Sequence, residues 1–220
     1  MISTRHRFIY LHIPKTGGNA IQNLLLPFSD DTRLIRGHQD GVHRYELTGL
    51  VTPRKHANLQ EYADIMGHDA LAEYRIVISV RHPFERAVSA YFSPHRWMRQ
   101  NADGGWFAMA PTWRKADFFK MLRDPLHGPA CDYLRVDGEI RRPDHTLRNE
   151  TLSQDVFHMM QTLKLPGIPA QSIDLPRLNV SAAPTELYQS VLDDAELRRE
   201  VEALYAEDMA YFAYAKPPQP

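Results

Sequence analysis

The stretch Phe8-Ile9-Tyr10-Leu11-His12-Ile13-Pro14-Lys15-Thr16-Gly17-Gly18-Asn19-Ala20 decides the fold of this 220-residue chain. Its first six residues are apolar, β-branched or aromatic apart from one histidine, and Pro14 closes the run, which predicts a buried strand. A loop with two glycines follows. From Ala20 to Leu26 apolar side chains recur at helical spacing, up to Pro27. The order is therefore strand, glycine loop, helix.

A second unit of the same kind lies further along the chain. Tyr74 to Val80 is a near-continuous apolar run, typical of a parallel strand that is covered on both faces. Arg81 and His82 follow, and Pro83 suits the first turn of a helix that runs to Tyr91. Two such units predict an α/β, P-loop-like fold of three layers, with a central parallel sheet flanked by helices and ligands bound beyond the carboxyl ends of its strands.

The rest of the chain predicts helices and loops around this sheet. We expect surface loops with one short helix or strand over residues 28–56, and a further loop over residues 93–113. The helices predicted from apolar spacing cover residues 58–67, 115–122, 153–163 and 184–212. We expect one domain over residues 1–215 and a disordered tail over 216–220.

Composition and charge exclude several classes of protein. Hydrophobic residues make up 43% and charged residues 24%, as in an ordinary globular domain. The formal net charge of −1 argues against a nonspecific nucleic-acid binder. Residues 1–60 nevertheless hold eight Lys and Arg against four Asp and Glu, whereas residues 181–220 hold three against eight. This asymmetry predicts a discrete anionic ligand in the N-terminal part.

Two further features concern the cell compartment. The single cysteine, Cys131, excludes an internal disulfide framework and a cysteine-rich zinc site. No apolar stretch approaches the roughly 20 residues that span a bilayer, and no signal-peptide pattern is present. From the sequence we expect a cytoplasmic protein without an integral membrane segment.

The glycine loop predicts a first anion site over residues 15–20. Glycines after a buried strand let the backbone approach a ligand, and the N–H groups that open the next helix point at an anion. Lys15 adds a mobile positive charge. A Walker A loop has its lysine after the last glycine, whereas Lys15 precedes Gly17 and Gly18, and no strand-ending aspartate is available for magnesium. These differences disfavour an ordinary P-loop NTPase.

Arg81 and Ser89 predict a second anion site. Arg81 stands where the second strand ends, so its guanidinium can project over the same edge of the sheet, and Ser89 lies about two turns into the following helix. Arginine binds phosphate bidentately, and a serine hydroxyl adds a neutral donor. Two separated sites at one sheet edge indicate a ligand with two phosphate-like groups.

These motifs resemble those of the sulfotransferases that use 3′-phosphoadenosine 5′-phosphosulfate (PAPS). The run from His12 to Gly18 is similar to their 5′-phosphosulfate loop, and the run from Val80 to Tyr91 is similar to their 3′-phosphate segment. The closest similarity is to the carbohydrate sulfotransferases and their bacterial soluble relatives. Later segments resemble the family's landmarks in the same order, namely 148–152 with Asp155, 175–181, 205–208 and 212–214. The chain departs from the pattern at Asn19, where Thr or Ser is common, and at His82, where Asn or Asp is common.

The resemblance implies roles for individual residues. Lys15, Thr16, Gly17, Gly18, Asn19 and Ala20 would hold the 5′-phosphosulfate, mainly through their backbone. Lys15 would also stabilise the bridging oxygen on which negative charge grows during in-line transfer, so that no metal is required. Arg81 and Ser89 would hold the 3′-phosphate.

The acceptor hydroxyl needs a general base, and the chain has eleven histidines. The resemblance favours His56, which we expect to open the helix 25 residues before Arg81. His68 is the second choice, followed by His12 and His38. The aromatic residues between Tyr91 and Trp113 could form a lid or a stacking wall for a sugar, or could serve packing alone.

The sequence is therefore compatible with three functions. The first is PAPS-dependent sulfuryl transfer to a hydroxyl of a carbohydrate or glycolipid. An ATP- and magnesium-dependent phosphotransferase of the nucleotide-kinase type is the second, and a nucleotide-binding module without catalysis is the third. The sequence predicts neither the acceptor nor the oligomeric state.

Overall fold

The computed structural model describes residues 1–34, 45–168, 173–176 and 181–214. Among these residues the strands are β1 (Ile2–Ser3), β2 (Phe8–Leu11), β3 (Thr32–Leu34), β4 (Glu46–Thr48), β5 (Arg75–Val80), β6 (Met98–Gln100), β7 (Trp106–Ala108), β8 (Arg135–Val136), β9 (Glu139–Ile140) and β10 (His145–Arg148). The α-helices are α1 (Gly18–Leu25), α2 (Leu59–Met66), α3 (His68–Ala72), α4 (Pro83–Tyr91), α5 (Pro94–Trp97), α6 (Lys115–Leu122), α7 (Leu152–Thr162), α8 (Thr185–Leu192), α9 (Ala195–Leu204) and α10 (Ala206–Tyr211).

The central sheet has four strands in the order β1-β2-β5-β10. The strands β2, β5 and β10 are parallel, with Leu11 opposite Ile78 and Arg148 opposite Val80. At the other edge, β1 pairs antiparallel with β2, so the sheet is not wholly parallel. The remaining strands form three separate antiparallel hairpins, β3–β4, β6–β7 and β8–β9. The predicted parallel pair β2 and β5 is thus observed, and β10 is a third parallel strand that the sequence reading missed.

Helices cover both faces of this sheet because successive side chains of each strand point to opposite sides. From β2, Ile9 and Leu11 join a buried cluster with the apolar faces of α2 and α3. Phe8 and Tyr10 join the cluster on the other side, with α1 and α7. The mixed α/β architecture with a parallel-containing sheet between helices agrees with the prediction, whereas its P-loop-like details stay a prediction.

A third buried cluster lies beyond the sheet and is helical. It packs α4 against α6, α8 and α9, around Tyr91, Phe92 and Trp97. The predicted continuous helix over 184–212 is wrong, because this segment forms α8, α9 and α10. Asp194 begins a new helix by accepting a hydrogen bond from the Leu197 amide at 2.9 Å, and Tyr205 leaves the helical conformation at φ −108° and ψ 34°.

The other predicted elements agree to within a few residues. The helices α2, α4, α6 and α7 fall within the ranges expected from apolar spacing or begin one residue outside them. The two predicted loops each contain a short hairpin, β3–β4 and β6–β7. The predicted disordered tail, residues 216–220, lies outside the described residues. Within the part of the chain that is described, no helix has both the length and the apolar character to cross a membrane.

Candidate active site

An open cleft of about 1580 Å³ lies at the carboxyl edge of the parallel strands. Residues that line the cleft follow the end of each of the three parallel strands. Lys15 and Gly17 follow β2, Arg81 follows β5, and Asn149 follows β10. The topology alone therefore brings together segments that are far apart in sequence, as expected for ligand sites of parallel sheets.

The loop after β2 has a tightly turned backbone. Lys15 has φ 69° and Gly17 has φ 85°, both in the left-handed region. A Cβ at Gly17 would lie 2.8 Å from Leu152 Cδ2, so this position combines a positive φ with a close neighbour and requires glycine. Gly17 caps α1, and the first N–H groups of that helix have no intrahelical partner to bond. Gly17, Gly18, Asn19 and Ala20 all line the cleft, as predicted.

Thr16 differs from its neighbours because its side chain is buried and points into the protein. Its hydroxyl is 2.8 Å from the Ile13 carbonyl oxygen and 2.6 Å from Ser79 Oγ, and Ser79 Oγ is 2.8 Å from the Tyr10 hydroxyl. This chain of hydroxyls ties the loop to both parallel strands beneath it. Thr16 is fully buried and is not among the residues that line the cleft, so its hydroxyl holds the loop in place rather than a ligand.

Lys15 is the cation of the loop. Its Nζ donates to Ser93 Oγ at 3.1 Å, across the cleft from β2 to the start of α5. Burial, together with the nearby positive charge of Arg81, lowers the pKa of Lys15 to about 8. Lys15 is consequently a charged but poorly solvated group at neutral pH, which favours contact with an anion.

Arg81 and Ser89 line the same cleft from α4 and the turn before it. The Arg81 guanidinium contacts Glu85 Oε2 at 3.3 Å, and its positive charge lies near the Tyr188 side chain from α8. Its Nε is buried and has no hydrogen-bond partner among the described residues. Buried N–H groups without a partner are rare in proteins, so this one fits a ligand oxygen at the predicted second anion site.

His56 also lines the cleft, although it does not open the helix as expected. The helix α2 begins at Leu59 and is capped by Asn58, so His56 lies in the turn before it. His56 Nδ1 is 2.8 Å from the carbonyl oxygen of His12. Because a carbonyl oxygen only accepts, Nδ1 carries the proton and Nε2 keeps the lone pair. Burial lowers the pKa of His56 to about 4, against the raising effect of the His12 carbonyl. The ring is therefore a neutral proton acceptor at neutral pH.

The other candidate histidines differ in their placement. His68 does not line the cleft, because it is exposed and its Nε2 lies 3.6 Å from Asp137 Oδ2. This placement gives no support to His68 as the base, and His56 stays the preferred candidate. His38 lies outside the described residues. His12 lines the cleft, buried under the loop, with its ring centroid 4.5 Å from that of His56.

The structure adds residues that sequence reasoning missed. Lys55 lines the cleft with its Nζ 3.8 Å from the centroid of the Tyr45 ring, and burial lowers its pKa to about 8. His127 reaches the cleft from a loop whose carbonyl groups accept hydrogen bonds from Arg86. Lys55 directly precedes the predicted base His56 in the sequence, and this position could have identified it as a cleft residue. No local pattern indicated His127.

The aromatic side chains between Tyr91 and Trp113 do not line the cleft. Among the residues of this stretch only Ser93, His95 and Arg96 join the cleft after α4, whereas Tyr91, Trp97 and Trp113 pack into the helical cluster. Trp106 is exposed on the β6–β7 hairpin and does not line the cleft either. The packing interpretation therefore holds for the four that are buried or partly buried, namely Tyr91, Phe92, Trp97 and Trp113.

Fold and site together define a class of protein: a mixed α/β domain with two cationic sites and a neutral histidine at one edge of a parallel sheet. A profile of the sulfotransferase family matches residues 1–215, and the chain belongs to this family. Sulfuryl transfer is the reaction of the family. No significant match was found among curated proteins or among solved structures.

Proposed function

We propose that this protein transfers a sulfuryl group from PAPS to a hydroxyl of a carbohydrate or glycolipid. The observation that carries the proposal is that Lys15, Arg81 and His56 line one cleft although they come from three separate parts of the sequence. Two separate cations suit a nucleotide with a charged group at each end. The cytoplasmic location and the class of the acceptor, a carbohydrate or glycolipid, stay predictions from the sequence.

The residues of the cleft suit the two phosphate-containing ends of PAPS. The loop of residues 15–20 would hold the 5′-phosphosulfate through the first N–H groups of α1, those of Gly18 and Asn19, whereas the Ala20 N–H already donates to the Gly17 carbonyl at 3.0 Å. Arg81, with its buried and unpartnered Nε, and Ser89 would hold the 3′-phosphate. This second contact distinguishes PAPS from nucleotides without a 3′-phosphate.

The proposed reaction is an in-line displacement at sulfur. The acceptor oxygen forms a bond to sulfur as the bond to the bridging oxygen breaks, and adenosine 3′,5′-bisphosphate leaves. His56 Nε2 takes the hydroxyl proton, for which its tautomer is suited. Lys15 stabilises the negative charge that grows on the leaving oxygen, an interaction that is stronger in the transition state than in the ground state.

Calorimetry with adenosine 3′,5′-bisphosphate and AMP tests the nucleotide assignment. We expect the bisphosphate to bind at least about tenfold more tightly, because only it can use a charge-assisted contact to Arg81. Equal affinities would refute the assignment. ATP titrated with and without magnesium tests the kinase-like alternative, which requires metal-dependent binding.

Sulfur-labelled PAPS tests catalysis. Incubation of the protein with labelled PAPS and an extract of its source cells should label one class of hydroxyl compound. Lys15→Ala and His56→Ala should each reduce this labelling strongly, while His68→Ala, on the exposed surface, serves as the matched control. A noncatalytic nucleotide-binding module would give no labelled product with the unmodified protein.

A further inference from the structure

His12 occupies an unusual place between β2 and the loop of residues 15–20. Its side chain is only 4% exposed, yet it lines the cleft. A Cβ built on Gly18 would lie 1.9 Å from His12 Cδ2 and 2.1 Å from His12 Nε2. The Nε2 edge of the ring therefore rests on the first residue of α1, where the helix presents its N-terminal N–H groups. Gly18 is needed here to make room for a histidine of the protein itself.

The other ring nitrogen faces Gln22, which is buried in α1. The terminal oxygen of the Gln22 amide lies 3.0 Å from His12 Nδ1 and 3.1 Å from the Tyr45 hydroxyl. In this orientation Gln22 Nε2 is buried without a partner among the described residues. The Tyr45 hydroxyl, whose oxygen is also 3.2 Å from the Asn19 carbonyl oxygen, would have one proton for two acceptors.

A half-turn of the Gln22 amide exchanges its oxygen and nitrogen without changing the shape of the side chain. The NH₂ group then donates to both His12 Nδ1 and the Tyr45 hydroxyl, and that hydroxyl donates to the Asn19 carbonyl. Only the side-chain oxygen of Gln22 is then left without a partner. A buried carbonyl oxygen without a partner costs less free energy than a buried N–H group without one. The inventory of donors and acceptors favours this orientation.

The orientation of Gln22 decides which nitrogen of His12 carries the proton. Burial, together with the neighbouring His56 and Lys55, holds the pKa of His12 well below its usual range, so the ring is neutral and has one N–H. If Nδ1 accepts from Gln22, that N–H is at Nε2, on the edge that lies over Gly18. His12 and His56 then have opposite tautomers at adjacent places in the cleft.

We propose that His12 is a further binding residue of the site, whose Nε2–H donates to the 5′-phosphosulfate beside the amides of α1. The proposal rests on the function proposed above. A neutral donor suits this place, because it adds a hydrogen bond to the anion without adding a positive charge next to Lys15 and Arg81. His56, with its lone pair at Nε2, is left to accept the proton of the acceptor, and Gln22 positions His12.

Nuclear magnetic resonance of the ¹⁵N-labelled protein tests the tautomers directly. Two-bond ¹H–¹⁵N correlations distinguish a ring protonated at Nε2 from one protonated at Nδ1. We expect His12 to be the Nε2–H form and His56 the Nδ1–H form in the unmodified protein at neutral pH. His12 in the Nδ1–H form would overturn the proposal without any variant.

Calorimetry with two nucleotides tests the contact to the ligand. Glutamine can place an amide N–H near the Nε2 position of a histidine, whereas asparagine is too short to do so. We expect His12→Asn to weaken binding of adenosine 3′,5′-bisphosphate at least about tenfold, as for a lost hydrogen bond to a charged group. His12→Gln should stay within about threefold of the unmodified protein. Neither variant should change binding of adenosine 3′-monophosphate, which has no 5′ group.

The outcomes separate this proposal from the proposed function. If the unmodified protein binds neither nucleotide, the PAPS assignment itself fails. If it binds the bisphosphate but both variants lose affinity equally for both nucleotides, His12 has a structural role only and the donor proposal is wrong. Should His12→Asn not fold, a shift of the His12 Nε2 resonance with the bisphosphate, and none with the 3′-monophosphate, supports the proposal, whereas equal shifts contradict it.

Discussion

The surroundings of Lys15 disfavour the charged form of its side chain. Burial and Arg81 lower its pKa to about 8, so the fraction of charged Lys15 falls as the pH rises through this value. An anion bound beside the ammonium favours the charged form and raises the pKa in the complex. By linkage, a nucleotide that contacts Lys15 binds most tightly below pH 8, and its affinity falls at higher pH.

The expected result is a loss of affinity for adenosine 3′,5′-bisphosphate that begins near pH 8. Lys15→Arg should move the larger part of this loss to much higher pH, because arginine stays charged, and the smaller part that remains is assigned to Lys55. The matched control is Lys55→Arg, since burial lowers the pKa of Lys55 to about 8 as well. Titrations by calorimetry between pH 6 and pH 10 measure both profiles. An alkaline loss that is removed by Lys55→Arg and retained by Lys15→Arg would contradict the assignment to Lys15.

Gly18→Ala tests the contact between the loop and His12. The added Cβ would lie 1.9 Å from the His12 ring, which is buried and cannot move away freely. We expect a loss of about 1–3 kcal/mol in the free energy of unfolding, as for overpacking of a core. Gly105→Ala is the control, because Gly105 is exposed and its Cβ would meet only the ends of the Asp103 and Asn101 side chains, at 3.2 and 3.4 Å. Urea unfolding measures both, and equal losses would contradict this packing.

Single residues were predictable where a strand places them. Lys15 and Arg81 follow apolar runs that form adjacent parallel strands, so their position at one sheet edge follows from the sequence alone. His127 could not be found in this way. Its loop is held by Arg86 of α4 and by the Tyr205 hydroxyl, which donates to the His127 carbonyl at 2.7 Å. Such contacts arise only after distant helices have packed.

The same distinction explains which elements were predicted. The strand β5 and the helix α4 were recognised because an unbroken apolar run and a proline at the first helical turn are local signals. The strand β10 was missed because its sequence, His-Thr-Leu-Arg, buries only Leu147 and is held in place by pairing with β5. In the segment 184–212 the apolar spacing continues across Asp194, so the side-chain cap at this residue was overlooked.

Arg86 connects α4 to the loop that carries His127. Its Nη2 donates to the Gly128 carbonyl at 2.7 Å and to the His127 carbonyl at 3.3 Å, and its guanidinium lies 5.2 Å from the centroid of the Tyr205 ring. Arg86→Met removes the donor to the Gly128 carbonyl, while the His127 carbonyl keeps only the Tyr205 hydroxyl. We expect it to lower the free energy of unfolding by about 2–4 kcal/mol.

Arg7→Met provides the control for this substitution. Arg7 pairs with Glu73 at the surface, where both side chains are more than half exposed, so we expect a loss below about 1 kcal/mol. Urea unfolding of the two variants gives the comparison. If Arg86→Met costs no more than Arg7→Met, the hydrogen bonds of Arg86 do not hold the loop.

At the scale of the whole molecule, the charge is near zero but unevenly distributed. The net charge is −1, and yet Lys15, Lys55 and Arg81 line a single cleft. The acidic residues of the last 40 positions belong largely to α8, α9 and α10. The first two of these helices pack against α4, and α8 reaches the lining of the cleft with Thr185 and Tyr188. The positive potential is consequently local, and it acts on a ligand inside the cleft rather than on a long polyanion outside it.

This local potential predicts how a change in charge affects binding. Lys55→Gln removes a cation from the cleft, so adenosine 3′,5′-bisphosphate should bind less tightly, with the larger loss at low salt because salt screens the lost attraction. Glu73→Gln also changes the net charge by one unit, but at the exposed surface and away from the cleft lining, so affinity should stay within about twofold. Calorimetry of both variants at about 0.05 M and 0.5 M sodium chloride measures the effect. If Glu73→Gln strengthened binding as much as Lys55→Gln weakened it, the net charge of the molecule, and not the arrangement of cations in the cleft, would control the affinity.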